Sequence, residues 1–486
     1  MIILFNPQAA KRKNRRLPLS VLALGAVLEG KHEYVIVDGN VEADPTARIL
    51  ALLDSHRDAV LGVTVMPGPQ TKAALPACKA VKARFPKVPI VWGGYFPSIY
   101  PDACLNAEYV DYVVRGQGED TLVELLAALQ SGSSLDAIRG LSFRRGDGAH
   151  QHNPERLMKG PDAFPRLPYH RVNAADYMIP TFFGRRTAVH QASIGCPFQC
   201  SFCGVIAAFG SREKFETPAR TEQILRHLQT SYGADSVQFY DMNFFLREDQ
   251  ARELMDRIAP LGMRWWCEAR IDVLMRFSDA AWEAMRRAGC AMIFSGAESG
   301  SDWVLQQMKK GLTTAETMAF VERMKRFGII PELSFVIGNP HDPERDVHEC
   351  LQFIRRVKIV NPDSEIILYH YTPVPQRSDE MYGDVEFEFP ATPDEWATDK
   401  WQNFVKRIDP NTPWMARHTK DLIDNFELVL ASRWPSVQDY RLSGPLRRVL
   451  KVLGSWRYEF QIYSHPAELR WAQKLIDLRK PKFESV

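Results

Sequence analysis

The sequence predicts an α/β protein in three parts: an open parallel sheet, a partial or complete β/α barrel, and a mainly helical C-terminal region. Three observations carry that expectation. Short apolar runs alternate with helical patterns through residues 1–135, the sign of a parallel sheet wrapped by helices. After a connector over 136–185, rich in Pro, Gly and charge, the alternation resumes over 186–385. Over 386–486 the chain turns helical and aromatic.

The elements follow in order. "MIILFNP" reads as a strand ending in a turn, and "PLSVLALGAVLEG" as a helix closing on Gly30. "YVIVDGN", "AVLGVTVMPG", "VPIVWGGYFPS" and "VDYVVRGQGE" are further strands, each stopping at Gly, Pro or Asn. In open α/β sheets ligands sit beyond the carboxyl ends of the strands, so these small and polar ends form the expected mouth of a binding site. "GLSFRRGDGAHQH" reads as a small hairpin turning at Asp147 and Gly148. The second series runs "AVHQASIG", "SVQFYDMNFF", "RWWCEARID", "AMIFSGAESGS", "IIPELSFVIGNP" and "SEIILYHYTPVP", separated by helical stretches. A β/α barrel places its chemistry at the C-terminal ends of such strands.

Composition narrows the function. The 486 residues allow two to four domains. With 61 basic and 59 acidic side chains the net charge is +2, which is no electrostatic footprint for nucleic acid or for an anionic membrane. No apolar run approaches the ~18 residues of a membrane span. The opening "MIILFNPQAAKRKNRR" has too short an apolar stretch, with its charges after it, for a signal peptide. A cytoplasmic protein is expected. The eight cysteines agree, because three crowd one loop instead of spreading as a disulfide framework.

That loop is "IGCPFQCSFCG", with Cys196, Cys200 and Cys203 spaced C-x3-C-x2-C. Clustered thiolates select zinc or iron–sulfur. A structural zinc site wants four closed ligands, usually two C-x2-C pairs. Only one such pair is present, and the next cysteine is Cys267. Zinc and unliganded cysteines stay open as alternatives. A four-iron cluster on three thiolates leaves one iron free for a small molecule.

The spacing, with Phe202 before the last cysteine, resembles the signature of the radical S-adenosylmethionine (SAM) superfamily. The resemblance implies a [4Fe-4S] cluster on Cys196, Cys200 and Cys203, with SAM chelated by the fourth iron and cleaved reductively to a 5'-deoxyadenosyl radical. It also implies a partial (β/α)6 TIM barrel and an electron donor such as flavodoxin or ferredoxin. Other stretches are similar to the family's motifs. "GAESGSDWVLQQMKKGLT" resembles its fourth-strand G-x-E-S-G-S segment, which would place Glu298 and Ser299 on the SAM ribose or amino group. A helix N-cap at Ser299 or Ser301 is the plain alternative. "FYDMNFF" would bring Asp241 and Asn243 near the methionine end, although the usual G-G-E is absent. "CEARID" would bring Arg270 to the SAM carboxylate, or to a surface ion pair. "SFVIGNPHDPERD" resembles the segment flanking adenine, with Gly338 and Pro340 at the turn. "YTPVPQRSDEMY" resembles the sixth-strand ending, with Gln376 and Arg377 departing from it.

The N-terminal part resembles the flavodoxin-like, Rossmann-like cobalamin-binding domain that precedes some radical SAM barrels, through "WGGYFPSIYPDACL", "VDYVVRGQGEDTLVELL", the early "NP" turn and "VDGN". The contacts it implies fall on Asn6, Asp38, Gly39, Val65, Met66, Gly93, Gly94, Tyr95, Gly116 and Glu119. The D-x-H-x-x-G motif that supplies a lower histidine ligand is absent, and His32 and His56 are isolated, so cobalamin would bind base-off without a protein His. Met66 or Tyr95 would lie under cobalt. "KRKNRR" reads as a solvated loop, or as a contact to corrin side chains or an anionic substrate.

The activity implied is methyl transfer to an unactivated carbon of a small-molecule substrate through methylcobalamin. Oxidative cyclisation or ring contraction without net methylation is the alternative within the same subclass. A non-catalytic corrinoid or iron–sulfur sensor would leave the Glu298-Ser299 segment without purpose. An RNA-modifying methylthiotransferase would need three N-terminal cysteines, where only Cys78 and Cys104 stand. The aromatics of the C-terminal region mostly form core, with some placed to roof the barrel.

Overall fold

Two parallel sheets, each fed by βα units, organise the chain. The structure, a computed structural model, describes residues 1–373, 388–405, 413–439 and 442–475. The first sheet holds β1 (Ile2–Asn6), β2 (Tyr34–Asp38), β3 (Val60–Thr64), β4 (Ile90–Gly93), β5 (Tyr112–Val114), β6 (Leu141–Arg144) and β7 (His150–His152). Their order is β2-β1-β3-β4-β5-β6-β7, parallel as far as β5. β1 and β3 are buried along their whole length, as a sheet covered on both faces requires. Ile2 and Leu4 face the helices Leu19–Leu28 and Glu119–Ser131, while Ile3 and Phe5 face Pro45–Ser55 and Pro69–Arg84. The chain leaves β1 for β2 on one side and returns to β3 on the other. The crevice of this sheet therefore opens between the ends of β1 and β3.

The hairpin β6–β7 lies within the expected connector and continues the first sheet. It turns at Gly148 (φ 87°), where Asp147 Oδ1 accepts from the Ala149 amide.

The second sheet follows sequence order: β8 (Ile179–Thr181), β9 (Gly184–His190), β12 (Ser236–Phe239), β13 (Arg264–Glu268), β14 (Cys290–Glu298), β15 (Ile330–Ile337) and β16 (Glu365–His370). Six strands run parallel, with β8 antiparallel at one edge. The sheet curls into a half-barrel, the partial (β/α)6 form expected. Its outer helices start on local signals: Thr313 and Glu316 form a capping box for Thr314–Phe327, and Asp342 caps Pro343–Val360. Between β9 and β12 the chain leaves the barrel and forms a separate two-stranded hairpin, β10 (Ser193–Cys196) with β11 (Arg212–Phe215).

The described C-terminal residues are helical and divide between the two sheets. Helices Pro393–Trp396 and Asp399–Val405 cover the first unit, where Trp396 packs on Phe96 and Tyr100. Helices Arg417–Arg433, Gly444–Glu459 and Ala467–Leu475 stack beside Pro343–Val360. Val437 and Gln438 close the lower end of the half-barrel: the Val437 amide donates to Glu365 and the Gln438 side chain to Glu332.

Trp396 is 2% exposed and ties a segment nearly 300 positions away to helix Tyr95–Ile99. Trp396→Ala is expected to cost about 3–5 kcal/mol, the range for deleting a buried aromatic. Urea unfolding followed by tryptophan fluorescence would show a lowered midpoint, with native far-UV dichroism before the transition.

Candidate functional site

The cysteine loop is held from several sides. Gly195 (φ 84°) precedes Cys196, and a Cβ there would lie 2.1 Å from the Arg212 carbonyl across the hairpin. The Ser201 amide donates to Met308 O, and its hydroxyl to Gln307 O. Phe202 packs beside Val304, Met308 and Tyr371. The hairpin thus presents Cys196, Cys200 and Cys203, none of them in a disulfide, over the strand ends of the half-barrel. Burial pushes Cys203 up to about 11 and raises Cys196, so binding metal must displace thiol protons. No group of three His, Cys, Asp or Glu among the described residues converges as a single-ion site. The first histidine after the loop, His227, packs against Tyr169 and Tyr232 on the surface of helix Pro218–Tyr232.

Two buried cations face the loop. Arg270, just past β13, donates through Nη1 to Cys200 Sγ (3.1 Å), through Nε to Asp272 (2.9 Å) and through Nη2 to Lys310 O (2.5 Å). Its guanidinium lies 3.8 Å from the Phe198 ring centroid. Lys310 Nζ is 2.8 Å from Glu298 Oε1, with both side chains buried. Burial works against the Lys310 charge, but the Glu298 carboxylate and the Cys200 sulfur outweigh it and hold its pKa above the ordinary value. Soft sulfur donors beside buried cations suit a thiolate-bound, anionic group.

The end of β14 is built around glycine. Glu298 itself adopts φ 64°, and a Cβ on Gly296 would lie 1.8 Å from its carboxylate. A Cβ on Gly300 would strike Phe353 Cβ at 2.5 Å, so this turn sits directly on helix Pro343–Val360. Ser299 is fully buried and its hydroxyl donates to Asp346 Oδ1 (3.1 Å). Asp346 Oδ2 accepts from the amides of Gly338 (2.8 Å) and Asn339 (2.9 Å), knitting the ends of β14 and β15 together. Gly338 (φ 87°) is covered by Met415 and Trp414, whose indole donates to the Gly338 carbonyl. Helix Asp302–Gln307 follows Ser301, which makes no side-chain cap bond.

Asp241 and Asn243, past the end of β12, are fully buried. The Asp241 carboxylate meets no partner at full hydrogen-bonding geometry, though the Ser193 hydroxyl and the amides of Ala192 and Ser193 approach it; Asn243 Nδ2 has none, while Asn243 Oδ1 accepts from the Arg270 amide (3.2 Å). Such orphan groups call for a polar ligand. Burial raises Asp241 to about 6 and Glu213, on β11, to about 8. Glu268, at the tip of β13, is likewise pushed to about 8 by burial. Sequence reasoning missed Glu213, Lys310 and Asp346. The only signal for the last two was charge inside segments already quoted for other residues.

The strand ends of the first sheet open toward this loop. Helix Val205–Phe209, following the cysteines, packs on helix Tyr95–Ile99. The Cβ position of Gly116 (φ 67°) is 3.6 Å from Ala208 O. Met66 stands at the β1/β3 crevice, 42% exposed, with Val65 buried behind it. Gly94 (φ 99°) lies so close to Val65 that a Cβ would meet its N and O at 3.1 Å. Gly93 and Tyr95 are half-buried there, and Glu119 opens helix Glu119–Ser131. Asn6 and Asp38 are committed to each other: Asn6 Nδ2 donates to Asp38 Oδ1 (2.8 Å), while Gln70, Asn40 and Tyr177 complete the network. A Cβ on Gly39 would press on the Gln8 amide. His32 and His56 precede β2 and β3, at the opposite end of the sheet. "KRKNRR" spans the two units, with Arg15 donating to Asp176 O and Arg16 to the Tyr240 hydroxyl. Of "YTPVPQRSDEMY", all beyond Thr372 and Pro373, including Gln376 and Arg377, lies outside the described residues.

Three carboxyls raised by burial set the pH response. The folded chain holds their protons more tightly than the unfolded one, so stability falls as pH rises from the ordinary carboxyl range through 6 to 8. Thermal unfolding of the unliganded chain is expected at lower temperature at pH 7.5 than at pH 5.5. Glu213→Gln and Glu268→Gln should each flatten that difference. A midpoint that is level or rises with pH would contradict this.

Comparison with known proteins agrees with the architecture. A B12 binding domain family matches residues 7–126 and the Radical SAM superfamily matches residues 191–354. An uncharacterized methyltransferase of Pyrococcus horikoshii is 28% identical over 70% of this chain and 74% of its own length. The anaerobic magnesium-protoporphyrin IX monomethyl ester cyclase of Synechocystis is 24% identical over 76% of this chain and 73% of its own. Among solved structures, the cobalamin-dependent SAM radical enzyme OxsB, with aqua-cobalamin bound, shares the fold with a TM-score of 0.68 at 17% identity, over 99% of this chain and 76% of that one. The chain therefore carries a B12-binding domain followed by a Radical SAM domain, the order found in its methyltransferase and cyclase relatives.

Proposed function

We propose that this chain is a cobalamin-dependent radical SAM methyltransferase acting on an unactivated carbon of a small molecule. The observation that carries the proposal is the packing of helix Val205–Phe209, directly after the three thiols, on helix Tyr95–Ile99 at the strand ends of the first sheet. Two ligand-binding mouths then open on one shared space. Cys196, Cys200 and Cys203 would hold the cluster; Asp241, Asn243, Arg270, Glu298, Ser299 and Gly338 would surround SAM. Asn6, Asp38, Gly39, Val65, Met66, Gly93, Gly94, Tyr95, Gly116 and Glu119 would frame cobalamin. When bound, the cluster would supply the electron that splits SAM, and cobalamin the methyl group.

The chain's own part is placement and exclusion of water. Arg270 fixes Cys200 from below while resting on Phe198. Asp241 and Asn243 offer a buried acceptor and a buried donor, suited to the ammonium and carboxylate of SAM. Ser299 acts through Asp346, holding the turn that aims Glu298. Gly94 and Gly116 bring backbone close where a side chain would intrude. Met66 gives the crevice an apolar floor, and His32 and His56 stand at the opposite end of β2 and β3 from it, which supports a base-off, His-free mode. Electrons would come from a flavodoxin or ferredoxin. Cyclisation or ring contraction without net methyl transfer is a second reading, favoured by the likeness to the Synechocystis cyclase.

The test is anaerobic reconstitution with iron, sulfide and cobalamin, then dithionite and SAM. The wild-type chain is expected to form 5'-deoxyadenosine. Replacing Cys196, Cys200 and Cys203 by Ala is expected to abolish both iron loading and that product, with corrin absorbance retained. S-adenosylhomocysteine formed with substrate marks methyl transfer, and its absence marks the second reading. Full iron loading by the triple variant would overturn the assignment.

A further inference from the structure

Among the described residues eleven large apolar side chains are exposed, and seven of them fall between Leu446 and Trp471. Leu446, Val449, Val452, Trp456 and Phe460 follow one another at three or four residues along helix Gly444–Glu459 and its C-terminal end. That spacing sets them on one face. It is not the packed face, which carries Leu450, Gly454, Arg457 and Tyr458 toward helix Arg417–Arg433. Val452 is 72% exposed and Phe460 75%. Ile462 and Trp471 add two more exposed apolar side chains in the turn and helix that follow. The stripe from Leu446 to Phe460 is a ridge about 21 Å long at 1.5 Å per residue.

Its flank is cationic. Arg448 and Lys451 are exposed and pair with no carboxylate among the described residues. Residues 442–475 carry six Lys and Arg against two Glu, in a chain whose total is only +2. The near-neutral composition therefore conceals a local positive excess. An apolar ridge with Trp and Phe, edged by Lys and Arg, is the pattern of a helix lying in the headgroup region of a bilayer.

We propose that this face docks the protein on an anionic lipid surface. No described helix is long and apolar enough to cross a membrane, so the contact is peripheral. Charge favours lipid over a second copy of the chain. Pairing two copies would concentrate the positive excess of both segments, whereas anionic headgroups neutralise it. The inference does not depend on the chemistry proposed for the barrel.

Co-sedimentation of the full-length, reconstituted protein with vesicles tests it. Vesicles of phosphatidylcholine with phosphatidylglycerol are expected to bind the protein, and vesicles of phosphatidylcholine alone to bind it much less, with the difference lost in high salt. Arg448→Glu with Lys451→Glu should lower partitioning by roughly fivefold per charge removed. Val452→Asp with Phe460→Asp should lower it further while iron content and far-UV dichroism stay as in the wild type. Equal sedimentation with both vesicle types, or none with either, overturns the proposal. So does a dimer, seen by light scattering, that Val452→Asp dissociates.

Discussion

The interaction on which the site depends is the meeting of two buried cations with a sulfur-bearing loop. Arg270 and Lys310 sit where water cannot solvate them, and each needs a partner. Arg270 has Asp272 on one side and Cys200 on the other. Lys310 has Glu298, and its own carbonyl accepts from Arg270. One chain of contacts thus links the end of β13, the end of β14 and the cysteine hairpin. Moving any one of them strands a charge in the interior, so the three elements hold a common geometry. The positive field at Cys200 is what a set of thiolates requires.

Topology then decides where that geometry faces. Both sheets are parallel through their central strands, and both present the C-terminal ends of those strands toward the cysteine hairpin. In the first sheet the 2-1-3 order opens a crevice beside Met66 and Val65. In the second, the half-barrel leaves its mouth to be finished by other elements. The hairpin β10–β11, the N-terminal segment through Arg16, and Trp414 all reach it. The half-barrel is therefore completed by chain from before and after it, which explains why Arg16 and Trp414 approach one opening from opposite ends of the sequence.

Much of this was legible in the sequence. The alternation of apolar runs gave both sheets, because buried parallel strands must be apolar and must stop at turn residues. The three cysteines and the G-x-E-S-G-S segment were legible because their spacing is local, and the structure gives each glycine a steric duty: Gly296 admits the Glu298 carboxylate, and Gly300 lets the turn rest on helix Pro343–Val360. Hidden features are those that depend on tertiary approach. β11 is "REKF", too short and polar to show strand alternation, so the hairpin that carries the loop was invisible. Lys310 reads as a surface lysine until the fold brings Glu298 to it. Asp346 reads as an ordinary acidic residue in a first helical turn, yet it joins two strand ends. Asn6 and Asp38 read as ligand contacts, and the fold commits their side chains to one another.

The buried carboxyls complete the electrostatic argument. Around the mouth the cations are matched by Asp272, Glu298 and the thiols, so Glu213 and Glu268 are left without a counter-charge of their own and Asp241 has only His190 near it. In the unliganded chain burial keeps them protonated well above the ordinary carboxyl range. A ligand bearing positive charge would reverse that preference, because a cation at a buried carboxyl stabilises the ionised form. SAM brings both a sulfonium and an ammonium. Its binding would then release protons from this end of the barrel, and the affinity of the site would rise as pH passes through the range where those carboxyls titrate. The same groups that destabilise the empty fold at neutral pH are the ones that would favour the filled one.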